Sequence, residues 1–201
     1  MCRLGDHTKK IVDYAGQAAA LSKQVKVRVD GPYGTLPFNY RRYGSLLFVA
    51  GGIGITPILG ILRDVYGDSK ISRKVLPAPC IKHISVVWIM PHAAESSLFL
   101  DLLTSFHLKS LQDPHMPSLK LSIHVTRESG NNTVPGHHFL CSKPQFNMIM
   151  DECVENKHET QTSMLVYACG PNKLVHELWD ASMKKHAKDF RVDFYHENFS
   201  F

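Results

Sequence analysis

The sequence predicts an α/β fold, a doubly wound five-stranded parallel sheet with helices on both faces. Two observations carry this prediction. Apolar runs of strand length alternate along the chain with segments of helical periodicity. In the uncharged stretch LLFVAGGIGITPILGIL, residues 46–62, glycines separate a strand-like half from a helix-like half. Because strands that alternate with helices pair in parallel through right-handed connections, both faces of the sheet are expected to be covered.

The same uncharged stretch is also long enough to suggest a membrane span, which needs about 20 apolar residues. Gly51, Gly52, Gly54 and Pro57 interrupt it at the centre and argue against a continuous helix. Residues 46–50 form an apolar run typical of a strand that is covered on both faces. The apolar residues after Pro57 recur at helical spacing. The stretch is therefore predicted to be a strand, a glycine turn and a helix.

The remaining chain repeats this alternation. Further strands are predicted at residues 83–90, 119–126, 164–168 and 190–195, and further helices at 97–108, 145–156 and 173–185. Two connections, at about 67–82 and 127–143, are long and rich in Pro, Gly, Ser and Asn. Loops of that length in such folds are usually functional or poorly ordered.

Composition limits the classes of function. The 201 residues suffice for one full domain, or for one domain and part of another. The net charge of +5 is spread along the chain, which suits an anionic small molecule or an acidic surface, and we expect no nucleic-acid partner. The five cysteines are odd in number and contain no CxxC pair. This pattern indicates free thiols in a reducing compartment rather than a disulfide framework or a metal site.

The glycine turn is the first candidate site, because ligands of a doubly wound sheet bind beyond the carboxyl ends of its strands. Gly51, Gly52 and Gly54 would let a phosphate approach backbone N–H groups, and the next helix would offer its positive N-terminus. Thr56 is expected to cap that helix and Pro57 to lie in its first turn. The alternative is a tight turn that binds nothing, since Thr56-Pro57 replaces the third glycine of the usual dinucleotide fingerprint.

The ends of the next two strands offer further candidates. Beyond Trp88 and Met90, where the adenosine ribose of a dinucleotide would lie, His92 is followed by no acidic residue before Glu95. An acidic residue there would favour NAD, and a cation would favour the 2′-phosphate of NADP, so this strand end slightly favours NADPH over NADH. Arg127 ends the following strand and is either a phosphate ligand or a solvated surface charge.

The fourth strand ends at Cys169-Gly170-Pro171, directly before a predicted helix. This corner lies at the same edge of the sheet as the glycine turn. Judged by itself, Cys169 is more typical of a buried apolar thiol than of a catalytic one.

Taken together, these pieces resemble the dehydrogenase half of the ferric reductase/NADPH oxidase group, within the ferredoxin–NADP reductase-like superfamily. The resemblance depends on motifs that occur in the family's order: DGPYG at 30–34, VAGGIGITP at 49–57, VTRE at 125–128, CGP at 169–171 and FYHENF at 194–199. The stretch around the glycine turn, with VTRE, is similar to plant ferric-chelate reductases. The ending HENF is similar to the superoxide-producing oxidases.

The resemblance implies that NADPH, or else NADH, passes hydride to FAD, whose electrons cross a haem-carrying membrane domain to ferric iron or oxygen. It implies cofactor contacts at Tyr33, Gly34, Gly51, Gly52, Ile53, Gly54, Thr56, Pro57, Trp88, Met90, His92, Arg127, Cys169, Gly170 and Pro171. Two of the implied roles are catalytic: Cys169 would lie beside the nicotinamide, and Phe201 would cover the flavin ring. The oxidases have an arginine where this sequence has Pro91, so the choice between NADPH and NADH stays open.

By the same resemblance, residues 1–43 are the C-terminal remnant of an FAD-binding barrel domain, and 44–201 are the NAD(P)H-binding domain. The family's upstream flavin motif and its intramembrane haem histidines do not occur in the sequence. We therefore expect a soluble portion of a larger membrane enzyme, at the cytoplasmic face, with its partners being the FAD-binding and haem transmembrane domains of the same protein. Three functions remain: part of a ferric reductase, part of a superoxide-producing NADPH oxidase, or a non-catalytic dinucleotide-binding regulatory module.

Overall fold

The computed structural model describes residues 6–20, 28, 30, 36–67, 80–128, 139–155, 162–187 and 190–198. The chain divides into two compact units, Met1–Pro37 and Phe38–Phe201. The first unit contains helix α1 (Asp6–Ala20). The assignment of residues 1–43 to a flavin barrel stays a prediction.

The second unit is built on a parallel sheet with helices packed against it. Its described strands are β1 (Ser45–Gly51), β2 (His83–Met90), β3 (Ser118–Val125), β4 (Phe139–Leu140), β5 (Ser163–Gly170) and β6 (Arg191–Asn198). Its described α-helices are α2 (Ile55–Tyr66), α3 (Leu100–Gln112), α4 (Phe146–Glu155) and α5 (Asn172–Met183).

The six described strands lie in the order β4-β3-β2-β1-β5-β6, and every neighbouring pair is parallel. The predicted doubly wound parallel sheet is confirmed, with six strands in place of five. The additional strand, β4, has only two residues and lies at the edge beyond β3, inside the stretch 127–143 that is predicted to be a loop. A strand of two residues is too short to produce a periodic pattern, so its sequence does not reveal it.

The centre of the sheet is fully buried. β1 is buried from its first residue to Ala50, and β5 is buried from Met164 to its last residue. One face of these strands packs on α4 and α5, for example through Val166, Met150 and Leu178. Burial on both faces explains why β1 has an uninterrupted apolar sequence rather than an alternating one.

Strand β1 pairs with β2 on one side and with β5 on the other. The chain therefore moves outward from β1 in one direction and later returns to continue in the other. A crevice forms at the carboxyl edge where such a reversal occurs, and ligands of doubly wound sheets bind there. The glycine turn after β1 lies at this point.

Helix α2 begins earlier than predicted. Gly52–Gly54 form a turn of 3₁₀-helix, Gly54 takes the cap position, and the α-helix begins at Ile55. Thr56 is thus inside the helix, where its Oγ1 donates a hydrogen bond to the carbonyl oxygen of Ile53 at 3.0 Å. The prediction that Thr56 caps the helix is wrong, because the glycine turn is itself wound as a helical turn. Pro57 lies in the first turn of α2 as predicted.

Gly54 determines how closely this turn lies against β5. A Cβ atom at Gly54 would lie 2.2 Å from the carbonyl oxygen of Cys169 and 2.8 Å from its carbonyl carbon. Both atoms belong to the backbone of a buried strand and have no freedom to move aside. The space left by the absent side chain of Gly54 is therefore filled by β5, and not by the phosphate that the sequence suggests there.

Replacing Gly54 with alanine should destabilise the chain by about 2–3 kcal/mol, because the added methyl group overpacks a backbone contact. Gly60 provides the matched control, since it is an exposed residue of α2 whose Cβ would meet nothing within 4 Å. Gly60→Ala should stabilise the chain by about 0.5–1 kcal/mol through helix propensity. Urea unfolding of both variants measures the difference. Wild-type stability of Gly54→Ala would contradict the close approach.

Candidate functional site

The candidate residues meet at the carboxyl edge of the sheet. In the strand register Ala50 pairs with Trp88 on one side and with Cys169 on the other. The glycine turn after β1 therefore lies between the end of β2 and the corner at Cys169-Gly170-Pro171. Further along the same edge, Met90 pairs with Val125 at the ends of β2 and β3. Tyr33, Gly34 and Phe201, for which the resemblance implies cofactor roles, lie outside the described residues.

Gly52 is the most open of the three glycines in the turn. Its φ of +54° lies in the left-handed region, which favours glycine over residues with a side chain. A Cβ atom there would meet nothing within 4 Å, and Ile53, the next residue, is 59% exposed. Of Gly51, Gly52 and Gly54, it is Gly52 whose missing side chain leaves open space that a phosphate group could occupy.

Gly51 and Gly170 allow the corners of β1 and β5 to approach each other. A Cβ at Gly51 would lie 2.9 Å from Cδ of Pro171, and a Cβ at Gly170 would lie 3.1 Å from the amide nitrogen of Gly51. Two glycines thus face each other across the pairing of two strands. Packing between the corners accounts for both of them, as it does for Gly54.

Trp88 is hydrogen-bonded to the glycine turn. The resemblance implies a cofactor contact for this residue, but its side chain is only 2% exposed and packs near Phe99. The indole Nε1 donates a hydrogen bond to the carbonyl oxygen of Gly52 at 2.8 Å. Because the peptide group is planar and trans, this bond turns the N–H group of Ile53 away from Trp88. A buried tryptophan needs a hydrogen-bond partner for its N–H group. A tryptophan in a predicted buried strand was therefore the feature of the sequence that could have indicated this contact.

Cys169 is completely buried at the end of β5. Burial raises the pKa of its thiol to about 11, and the negative charge of Glu197, its partner in the register of β6, adds to the rise. The thiol is therefore protonated at neutral pH, when only a thiolate would be an effective nucleophile. Any part that Cys169 plays beside a ligand is that of a neutral packing group.

The ends of β2 and β3 continue to pair beyond the strands. The backbone N–H of Thr126 donates to the carbonyl oxygen of Met90 at 2.9 Å, and that of Arg127 donates to Pro91 at 3.0 Å. Met90 is 1% exposed, so it contributes to this edge through its backbone. Arg127 is exposed. The guanidinium group is thus attached to a corner that is held in place by hydrogen bonds.

A carboxylate lies at this corner, which the spacing along β2 does not predict. Oε1 of Glu128 accepts a hydrogen bond from the N–H of Ala93 at 3.0 Å and lies 3.4 Å from Nδ1 of His92. Ala93 begins a short 3₁₀-helix, so its N–H has no partner within that helix. The prediction that no acidic residue occupies the end of β2 is wrong, because the carboxylate of Glu128 reaches it from the end of β3. Because β2 and β3 are parallel neighbours whose ends lie side by side, the residues after β3 could have been expected at the end of β2.

Two further properties concern metals and membranes. Among the described residues, no group of three or more His, Cys, Asp and Glu side chains is arranged to hold a metal ion. Within the same residues, no helix has both the length and the apolar character needed to cross a membrane.

Comparison with known proteins extends these observations. Residues 43–135 match the family model of the ferric reductase NAD-binding domain. Human NADPH oxidase 4 is 27% identical over 183 residues, which cover 87% of this chain and 30% of the relative. The Arabidopsis thaliana mitochondrial ferric reduction oxidase 8 is 30% identical over 141 residues, which cover 68% of this chain and 18% of the relative. The chain thus spans less than a third of the length of either relative.

Among solved structures, the CS and b5R domains of human Ncb5or in an NAD⁺ form are similar, with a TM-score of 0.59. The match covers 100% of this chain and 47% of that one at 13% identity, so it concerns the fold alone. The sequence resemblance and the parallel sheet with its glycine turn agree with the family match, and residues 43–135 belong to the ferric reductase NAD-binding domain family.

Proposed function

We propose that this chain is the cytosolic NAD(P)H-binding portion of a membrane flavohaem oxidoreductase. In the full-length protein, hydride passes from NADPH to FAD, and the electrons cross the membrane to ferric iron. The observation that carries the proposal is the open, left-handed Gly52 at the switch point of a sheet of this family. The names of the relatives, NADPH oxidase and ferric reduction oxidase, support the donor and the acceptor.

The dinucleotide would bind along the carboxyl edge with its pyrophosphate at the glycine turn. The open side of Gly52 and the N-terminus of α2 suit an anion, because backbone N–H groups and the helix dipole both favour negative charge. Ile53 and Thr56 are exposed beside it. Trp88 would fix the orientation of the turn through its bond to Gly52. The dinucleotide supplies the hydride, and these residues bind and orient it.

The two ends of the dinucleotide would meet different corners. The nicotinamide would lie by the corner at Cys169, Gly170 and Pro171, where Pro171 offers an exposed apolar ring and the neutral thiol of Cys169 is buried in the strand before it. The adenosine would lie by His92 and Arg127, with the exposed guanidinium group close to the 2′-phosphate of NADPH. Haem would be bound by other portions of the full-length protein, and the FAD site is incomplete in this chain. The described residues are proposed to bind the dinucleotide alone.

The same portion of a superoxide-producing NADPH oxidase is the second candidate. The match to human NADPH oxidase 4 supports it, because that match covers 87% of this chain against 68% for ferric reduction oxidase 8. The acceptor is chosen beyond the haems, in domains outside this chain. A regulatory module that binds the dinucleotide without redox work would bind NADPH in this chain, yet its full-length protein would not reduce flavin.

Binding at the glycine turn should change the fluorescence of Trp88, because its indole is bonded to Gly52. The chain has two tryptophans, and Trp179→Phe leaves Trp88 as the only emitter. We expect saturable quenching when NADPH is titrated into this variant. Trp88→Phe should bind NADPH about two- to tenfold more weakly, which corresponds to one hydrogen bond. Absence of a response from Trp88, with binding detected by calorimetry, would place the dinucleotide elsewhere.

Replacing Arg127 with alanine should weaken NADPH binding about ten- to a hundredfold, because a charge-assisted hydrogen bond to the 2′-phosphate is lost. NADH binding should change little, since NADH lacks that phosphate. Arg191→Ala is the matched control. Arg191 is an exposed arginine at the amino end of β6, the outer strand on the side of the sheet away from β3. Calorimetric titration of the wild type and of both variants with each cofactor measures the six affinities. Equal losses for both cofactors in Arg127→Ala would show that Arg127 is only a surface charge or a pyrophosphate ligand.

Deleting Phe201 in the full-length protein should alter hydride transfer to FAD, because its ring is proposed to cover the flavin where the nicotinamide must arrive. Aromatic stacking of this kind contributes about 0.5–1.5 kcal/mol, which the nicotinamide could displace. Stopped-flow measurement of flavin reduction provides the test, and thermal unfolding controls for stability. An unaltered rate of flavin reduction would refute this gating role.

A further inference from the structure

The adenosine end of the site contains two opposite charges from adjacent residues. Arg127 and Glu128 both follow β3, and the backbone N–H of Arg127 is bonded to Pro91 at the end of β2. The guanidinium group is exposed, whereas the side chain of Glu128 is only 21% exposed. These two residues therefore bring an exposed cation and a partly buried carboxylate to the same corner of the sheet.

The carboxylate of Glu128 is held in one place. Its Oε1 accepts from the N–H of Ala93 at 3.0 Å, and Nδ1 of His92 lies 3.4 Å away. The bond from Thr126 N–H to Met90 joins the same two strand ends, so the corner has little freedom to swing the charge aside. A fixed, partly buried charge interacts more strongly with a neighbouring ligand than a mobile, fully solvated one.

This chemistry favours one kind of ribose over another. A carboxylate at the end of the second strand accepts a hydrogen bond from a free ribose 2′-hydroxyl, as in proteins that prefer NAD. The same carboxylate repels a 2′-phosphate, whose negative charge Arg127 attracts. The selectivity of the site for phosphorylated or unphosphorylated ribose then depends on the balance between these two groups.

We propose that Glu128 is a specificity-determining residue that disfavours the 2′-phosphate and thereby opposes Arg127. The proposal rests on the proposed function, because it requires a dinucleotide whose adenosine end lies at this corner. With both charges present, the site accepts NADH as well as NADPH. Removing the negative charge alone makes the site selective for NADPH.

A purely structural role for Glu128 predicts a different result. If the carboxylate of Glu128 served only to accept the hydrogen bond from the N–H of Ala93, glutamine could take its place, because an amide oxygen accepts the same hydrogen bond. Glu128→Gln would then leave the ratio of the NADPH and NADH affinities unchanged. The ratio of affinities, rather than either affinity alone, therefore separates the two roles.

The test is calorimetric titration of the 201-residue chain with NADPH and with NADH, for the wild type and the variant Glu128→Gln. We expect the affinity for NADPH relative to NADH to rise on the order of three- to tenfold in the variant, as for removal of one nearby repulsive charge. Titration with 2′-phospho-AMP and with AMP should show the same shift, because these probes contain only the adenosine half. Glu128→Ala, a second neutral variant, should shift the ratio in the same direction.

Glu152→Gln provides the matched control. Glu152 lies on α4 and pairs with Lys120, near the amino ends of the strands and away from the site. Glu152→Gln removes the same charge from the chain as Glu128→Gln does. Because Glu152 is far from the site, the ratio of the NADPH and NADH affinities should stay unchanged. An equal shift in Glu152→Gln would overturn the proposal, because net charge and not position would then be the cause.

The remaining outcomes separate this inference from the function on which it rests. If the wild type binds both cofactors and Glu128→Gln leaves the ratio unchanged, the role of Glu128 is overturned and the proposed function stands. If Glu128→Ala shifts the ratio and Glu128→Gln does not, contact rather than charge sets selectivity, and the role is also overturned. If the wild type binds neither cofactor, both proposals are overturned.

Discussion

The candidate site depends on one close contact between two backbones. Gly54 lies so near the carbonyl group of Cys169 that a Cβ atom would come within 2.2 Å of its oxygen. This contact presses the turn after β1 onto the end of β5 and sets the distance between the N-terminus of α2 and the next corner of the sheet. Gly51 and Gly170 allow the same approach one step along the edge. The geometry of the switch point is thus determined by glycines that pack against neighbouring backbone and side chains.

The glycines of a single motif therefore have two different physical roles. Gly54 permits packing between strands, whereas Gly52 adopts a left-handed backbone and faces open space. Trp88 adds a third requirement, because its indole N–H needs the carbonyl oxygen of Gly52. A pattern of three glycines consequently indicates the geometry of a strand–turn–helix corner more directly than it indicates a ligand. Only the position without a packing neighbour has space that a ligand can use.

The parts of the fold that were predictable from sequence are those with long, regular patterns. β1 and α2 have an unbroken apolar run and a helical repeat, and both lie where predicted except at the start of the helix. β4 has two residues and no repeat, and the start of α2 depends on how the glycine turn winds. At the candidate site, the residues that follow each strand are predictable from the sequence, whereas the contacts between neighbouring strands are not. The bond of Trp88 to Gly52 and the position of Glu128 each require knowledge of which strands are neighbours.

The position of Glu128 changes how charge acts at this edge. Residues that follow β2 include no carboxylate before Glu95, so reasoning along one strand finds an edge without negative charge. The parallel pairing of β2 with β3 brings Glu128 to that edge, beside Arg127. The net charge of +5 acts over the whole molecule and attracts any anionic dinucleotide, phosphorylated or not. In the proposed role of Glu128, selectivity comes from a short-range difference at the ribose, where a fixed carboxylate and an exposed guanidinium oppose each other. Cofactor preference can then change at one residue after β3 while the glycine turn, on which the crevice depends, stays as it is.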